Sequence, residues 1–256
     1  MRFSLASLLL VLGLASPAAA QGPAGASPHL PPAADKTGTD PLNLQQQVDV
    51  RDTYATLESF FINTTAYRHA VPLFGRRVRV AGTVPFAFSN LTGLTEGGLA
   101  DIGADVEWTP LLTRHGGLLV ALRTTWDTST TDAVGLGTHT LAPMAQYVIR
   151  LSPTAFVAPY VSYRRSVGGD EFAFDVDDIT AGATVVWRPT ARTWVSGRVR
   201  AIADQQYERT YGDVSGEVGW MLLDRVSTYA GPTFGLGSEQ DRGQDWGLTF
   251  GFRIVP

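Results

Sequence analysis

From about residue 54 to its end, the chain repeats one pattern: segments of about ten residues in which apolar and polar side chains alternate, separated by turns and polar loops. The last segment shows it best. Trp246, Leu248, Phe250, Phe252 and Ile254 share one parity, and Gly247, Thr249, Gly251, Arg253 and Val255 share the other. A strand sends successive side chains to opposite faces, so one face of this segment is wholly apolar. The other is small or charged.

The same division recurs upstream. Val80, Val84, Phe86 and Phe88 share a face, as do Ile102, Ala104, Val106 and Trp108, and Val214, Val218, Trp220 and Leu222. No charged residue falls on the apolar parity of these segments. The opposite parity carries Arg77, Arg79, Asp101, Asp105, Glu107, Arg123, Arg150, Arg164, Arg198, Arg200, Glu217 and Arg253, with Arg188, Asp213 and Arg225.

Two architectures fit. A water-soluble sandwich buries its apolar face, whereas a membrane barrel turns that face to lipid and the polar one to its lumen. Aromatic placement favours the barrel. Trp108, Tyr147, Trp187 and Trp220 end strands at short turns, and Trp126, Tyr163 and Trp246 end strands at long loops. Amphipathic rings at both strand ends make two interfacial girdles; Trp194, on the polar parity, is the exception. Short turns at 151–154, 188–192 and 223–226 alternate with loops near 127–138, 165–177, 203–212 and 237–244, as periplasmic turns alternate with extracellular loops.

The expected fold is therefore all-β: a single transmembrane antiparallel up-and-down β-barrel of about twelve strands, with about ten as the alternative. The twelfth strand requires Leu44 to Arg51, which is weakly patterned, and the segment from Leu57 to Tyr67 is ambiguous in register. Pro85, Pro143, Pro159 and Pro232 fall inside strands, where proline cannot donate to a ladder, so bulges are expected there.

Residues 1–20 have a positive start, an apolar stretch and a small-residue site at Ala18-Ala19-Ala20, the parts of a secretory signal peptide. Residues 21–43, rich in Pro, Gly and Ala, read as a flexible lead-in, with a plug entering the barrel as the alternative. Residues 44–256 form the barrel. There is no cysteine, which excludes disulfides and thiolate metal sites, and a net charge of −4 gives no reason to expect nucleic-acid binding.

No cofactor or metal is expected: the four histidines, His29, His69, His115 and His139, show no zinc-binding spacing. Ser129 and His139 are near in sequence, but no G-x-S-x-G frame joins them, and no catalytic residue is assigned. The acid-rich stretch with Asp170, Glu171, Asp175, Asp177 and Asp178 reads as a solvated loop, with Ca²⁺ or lipopolysaccharide cations as its alternative ligands. The polar parity is where function is sought. Its charges either brace the wall as ion pairs or line a path for small polar or anionic solutes.

Gly98-Leu-Ala-Asp101 opening an acid-bearing strand, a hydrophobic strand after it, and a loop containing Leu136-Gly137 resemble the outer-membrane barrel transporters related to the MetA-pathway phenol-degradation proteins. Two positions depart from that pattern. Ala100 replaces a second glycine, and Thr124-Thr-Trp-Asp127 replaces Pro-Thr-Gly. The resemblance implies uptake of small, often hydrophobic compounds and supplies no site residue. The expectation is an outer-membrane channel for passive uptake through an Arg-lined lumen, not an enzyme. Its partners would be membrane lipid, lipopolysaccharide, the barrel-assembly machinery and a solute. A lipase-type barrel enzyme and a closed-lumen anchor or adhesin are the rivals.

Overall fold

The computed structural model describes residues 36–74, 77–169, 175–238 and 242–256. The signal-peptide reading of residues 1–20, and that of 21–35 as lead-in, lie outside them.

Among the described residues thirteen strands follow one another: β1 (Gln47–Leu57), β2 (Phe60–Leu73), β3 (Val78–Ser89), β4 (Glu96–Leu99), β5 (Ile102–Thr113), β6 (Gly116–Trp126), β7 (Thr138–Ser152), β8 (Ala155–Gly169), β9 (Asp177–Trp187), β10 (Thr193–Asp204), β11 (Arg209–Leu223), β12 (Val226–Leu236) and β13 (Trp246–Ile254). Successive strands pair antiparallel, except that β5 pairs with β3 and not with β4, and β1 pairs with β13 from Val48↔Ile254 to Thr56↔Trp246, closing the ring. Twelve strands make the wall. Four-residue β4 extends the β3 ladder beyond the start of β5. Closure removes every sheet edge, so backbone groups at membrane depth find partners within the wall.

Burial decides between the two architectures. Leu248 and Phe250 are 53% and 46% exposed, while Arg253 and Glu107 are 8% and 4% exposed. A water-soluble sheet would show the reverse; here the apolar parity faces out and the charged parity faces in. The girdle residues Trp108, Tyr147, Trp187 and Trp220, and at the other end Trp126, Tyr163 and Trp246, are all exposed on the outer surface. Trp194 points inward and is buried; a Cβ at Gly219 would overlap its ring, so that glycine makes the space for it.

The first two strands explain the ambiguity of their sequence. On β1, Asp49 and Arg51 point inward and Asp52 outward. Asp52 accepts hydrogen bonds from Asn63 (3.0 Å) and Thr65 (2.7 Å) of β2, a polar cluster on an otherwise apolar outer face. Internal hydrogen bonding lowers the cost of a carboxylate there, and the cluster destroys the alternation that marks the other strands.

The bulges follow the prolines only in part. At Pro143, Pro159 and Pro232 the register runs straight. Pairing lapses on one side, over Ala142–Pro143 and Ala158–Pro159 between β7 and β8 and over Gly231–Pro232 between β11 and β12, because the missing N–H leaves a rung unmade without displacing the chain. The bulge in β5 falls between Trp108 and Leu111, at Pro110. Only at Pro85 does the facing chain break: Thr83 pairs Gly103 and Phe86 pairs Leu99, so residues 100–102 oppose 84–85.

Residues 36–46, ahead of β1, lie inside the barrel. Leu42 and Leu44 are buried against the inward residues Leu119, Val148, Phe156 and Val186 of β6 to β9. Asp40 accepts a hydrogen bond from Arg150 of β7 (2.7 Å), while on the far wall Arg253 of β13 donates to the Thr37 carbonyl (3.2 Å). The segment therefore spans the lumen near the end that carries the short turns.

Candidate functional site: a polar vestibule above an N-terminal plug

The lumen has two halves. The half toward the turns is filled by the N-terminal segment and by a web of side chains from β1, β10, β12 and β13. Arg51 Nε donates to the Tyr229 hydroxyl (3.0 Å), which donates to Asp49 (2.7 Å); Arg253 Nε donates to the other oxygen of Asp49 (3.0 Å). The Arg253 guanidinium lies 5.1 Å from the Tyr229 ring centre and 6.0 Å from that of Trp194, so one cation is held by a carboxylate, two rings and two backbone carbonyls.

The half toward the loops is open. A cavity of about 700 Å³ is lined by inward residues from β3 and β5 through β11, with Gly243 and Gln244 of the β12–β13 loop. Threonine and serine hydroxyls, Tyr160, Tyr211 and charged groups dominate its wall. A second hollow of about 520 Å³ adjoins it, sharing Arg164, Asp178 and Tyr211.

The expected lumen residues divide among these regions. Asp101, Asp105, Arg123, Arg164, Arg198 and Arg200 line the open cavity. Arg164 donates twice to Asp178 (2.9 and 2.6 Å), and Arg200 is bonded to Asp213. Arg198 stands 4.0 Å from Asp213 and Arg123 3.9 Å from Asp105. Arg79 and Glu107 form a buried pair (2.7 Å), which Arg68 of β2 joins by bonding both Glu107 (3.1 Å) and Asp105 (2.9 Å). Arg150 and Arg253 hold the N-terminal segment. Glu217 lies 4.0 Å from Arg51.

Four of the expected residues differ in role from their parity, Arg188 and Arg225 because they fall in the β9–β10 and β11–β12 turns. Arg77 sits exposed in the β2–β3 turn, before the strand begins. Asp101 falls in the break between β4 and β5, where its carboxylate accepts the backbone N–H groups of Thr128 (3.3 Å), Ser129 (3.3 Å) and Leu136 (2.8 Å). It fastens the β6–β7 loop over the cavity rim.

Sequence reasoning passed over Asp40, Asp49, Arg51, Arg68 and Tyr229. The alternation Asp49-Val-Arg51 was the available signal, masked by Asp52 on the wrong face.

The pairs around the open cavity run between adjacent or next-adjacent strands, so they stiffen the wall and leave the upper lumen clear. Glu107 is the most loaded of them. Replacing it with alanine would leave Arg79 and Arg68 short of a partner inside the wall, at a cost of about 3–5 kcal/mol. The expected result is a lower urea midpoint for the folded barrel in detergent, and a midpoint equal to that of the parent would refute the bracing role.

The histidine near the start of β7 has a structural task. His139 Nδ1 accepts the Asp127 N–H (3.0 Å), so the ring nitrogen that a carboxylate would orient in a catalytic triad is occupied by backbone. Ser129 Oγ lies 3.5 Å from the Asp127 carboxylate. Among the described residues, no group of three His, Asp or Glu is placed to hold a metal ion.

No family model matches the sequence, and no curated protein matches it. Solved structures match the fold across most of the chain. An outer membrane channel from Pseudomonas putida is similar at 12% identity, over 83% of this chain and 96% of its own, with a TM-score of 0.67. The NanC porin is 8% identical over 82% of this chain and 100% of its own (TM-score 0.61), and the KdgM porin, solved in complex with disordered oligogalacturonate, is 6% identical over 82% and 99% (TM-score 0.59). At such identities the likeness is one of architecture: this chain has the fold of bacterial outer-membrane β-barrels.

Proposed function

We propose that the chain is an outer-membrane channel for small polar solutes, held closed at its periplasmic end by its own residues 36–46. The observation that carries this reading is the 700 Å³ polar cavity, which stays open because the charges around it pair along the wall instead of across it. A barrel built only as an anchor would gain by filling that space with apolar side chains. The loops mark the extracellular side by their length, so solute would enter the vestibule from outside and meet the plug below. Passage is diffusive, and the wall contributes polar contacts strong enough to admit a solute and weak enough to release it.

The resemblance to phenol-degradation transporters implies hydrophobic cargo. The vestibule's hydroxyls and guanidiniums favour a polar one. Lipopolysaccharide as an outer-leaflet neighbour and insertion by the barrel-assembly machinery belong to the same reading.

Liposome swelling tests it. Vesicles containing the chain without residues 1–20 should swell in small neutral polyols and sugars, with rates that fall as solute size rises. Asp40→Asn, which weakens the bond from Arg150 to the plug, should swell faster. Protein-free and protein-loaded vesicles behaving alike, also after the plug is removed, would end the channel reading.

A further inference from the structure

The arginines and aspartates that line the vestibule are equal in number, but their hydrogen bonds are not shared evenly. Asp213 faces two guanidiniums: Arg200 is bonded to its Oδ2, and Arg198 stands 4.0 Å from its Oδ1. Asp105 is in the same position. Its Oδ2 already accepts two hydrogen bonds from Arg68, at 3.2 and 2.9 Å, and Arg123 stands 3.9 Å from its Oδ1. Arg164 is matched by Asp178, and Asp101 is occupied with loop amides. The guanidiniums left without a close carboxylate bond of their own are therefore Arg123 and Arg198. Arg123 has about half of its side chain exposed, and Arg198 Nε is buried with no hydrogen-bond partner among the described residues.

Both arginines line the same cavity. In the wall, β8 stands between their strands, β6 and β10, and carries Tyr160 into the cavity. The Tyr160 ring lies along the wall over Gly182, where a Cβ would come within 2.9 Å of its hydroxyl, so the sequence has kept that space for the ring. Hydroxyls from Thr125, Ser162, Thr180 and Thr184 line the same space.

We infer that Arg123 and Arg198, with Tyr160 set between them, form a resting site for a small hydroxylated carboxylate. The inference builds on the channel reading and names its solute class. A guanidinium presents paired N–H donors that match the two oxygens of a carboxylate, which an ammonium cannot do. Each arginine has donors to spare because its protein carboxylate is shared. The hydroxyl wall suits the alcohol groups of such an acid and offers little to an aromatic hydrocarbon. Affinity in the millimolar range suits a path that must also release its cargo.

Gluconate and sorbitol are suitable probes, since they share a chain of hydroxyls and differ in the carboxylate. Saturation-transfer NMR on the detergent-solubilised chain without residues 1–20 should show gluconate binding at least about tenfold tighter than sorbitol, as expected for a charge-assisted contact. Arg123→Gln and Arg198→Gln should each weaken gluconate about tenfold or more and leave sorbitol unchanged. Arg123→Lys should fall between, and Arg225→Gln, in the β11–β12 turn, should match the parent. Folding of each variant is read from its mobility on unheated gels. Where a glutamine variant fails to assemble, the lysine variant decides, and parental affinity for gluconate then overturns the site. Equal binding of gluconate and sorbitol, or parental binding by the glutamine variants, overturns it as well. Vesicles that swell while the protein fails to bind gluconate refute the site and spare the channel. Gluconate binding to a barrel that never conducts refutes the channel and spares the site.

Discussion

Deleting residues 21–46 should turn a barrel that passes little current into one with a large, steady conductance in a planar bilayer. The segment is the only stretch outside the strands that meets both walls of the turn-side lumen among the described residues, touching Arg150 on β7 and Arg253 on β13. Its removal takes Leu42 and Leu44 away from Leu119, Val148, Phe156 and Val186 and leaves those side chains facing water. The stability lost is about 1.5–3 kcal/mol for each leucine, an upper figure because the extended chain is the reference. The wall keeps all of its interstrand hydrogen bonds, so the barrel should still assemble and run as a folded species on unheated gels. Equal conductance for the shortened and parent proteins would show that the segment does not close the lumen.

Val214→Arg should be the most damaging single change on the outer wall, and a change at the very next residue should be almost silent. Val214 faces outward on β11 between Val199 and Phe234, well inside the girdles. An arginine there costs about 2–4 kcal/mol at the bilayer midplane, and neither cross-strand neighbour offers it a partner. Ser215 faces the lumen between Arg198 and Thr233, so Ser215→Asp places its carboxylate beside a guanidinium with donors to spare. Urea titration in phospholipid vesicles should separate the two variants by that amount. If both unfold at the parental midpoint, Val214 does not face hydrocarbon.

The outward and inward faces of β3 and β5 to β13 can be read from the sequence because a period of two survives wherever one face meets lipid and the other meets water. Phe86, Val106, Leu122, Val185 and Phe250 all lie where their parity puts them. On β1 and β2, by contrast, Asp52, Asn63 and Thr65 satisfy one another on the outer face, and mutual hydrogen bonding leaves no trace in a hydropathy pattern. Arg51 and Arg68 are obscured with them.

Asp101 shows a second limit. Its parity assigns it to the lumen, yet one extra residue between Leu99 and Gly103 takes it out of the ladder and makes it an anchor for loop amides. The plug shows a third. Leu42 and Leu44 sit among prolines and polar residues, and Asp40 meets Arg150 across a sequence separation of 110, which no local pattern reports.

The placement of that plug sets the terms on which it competes for the lumen. Residues 36–46 run directly into β1, so the blocking stretch is tied to the rim of the opening it closes. A short tether of this kind holds its end at an effective concentration of about millimolar, whatever the number of barrels in the membrane. The same stretch supplied as a free peptide would have to reach that concentration to occupy the lumen as often. On the channel reading, closure is therefore a property of each barrel alone, insensitive to expression level, and a ligand that opens it must outweigh a fixed intramolecular advantage.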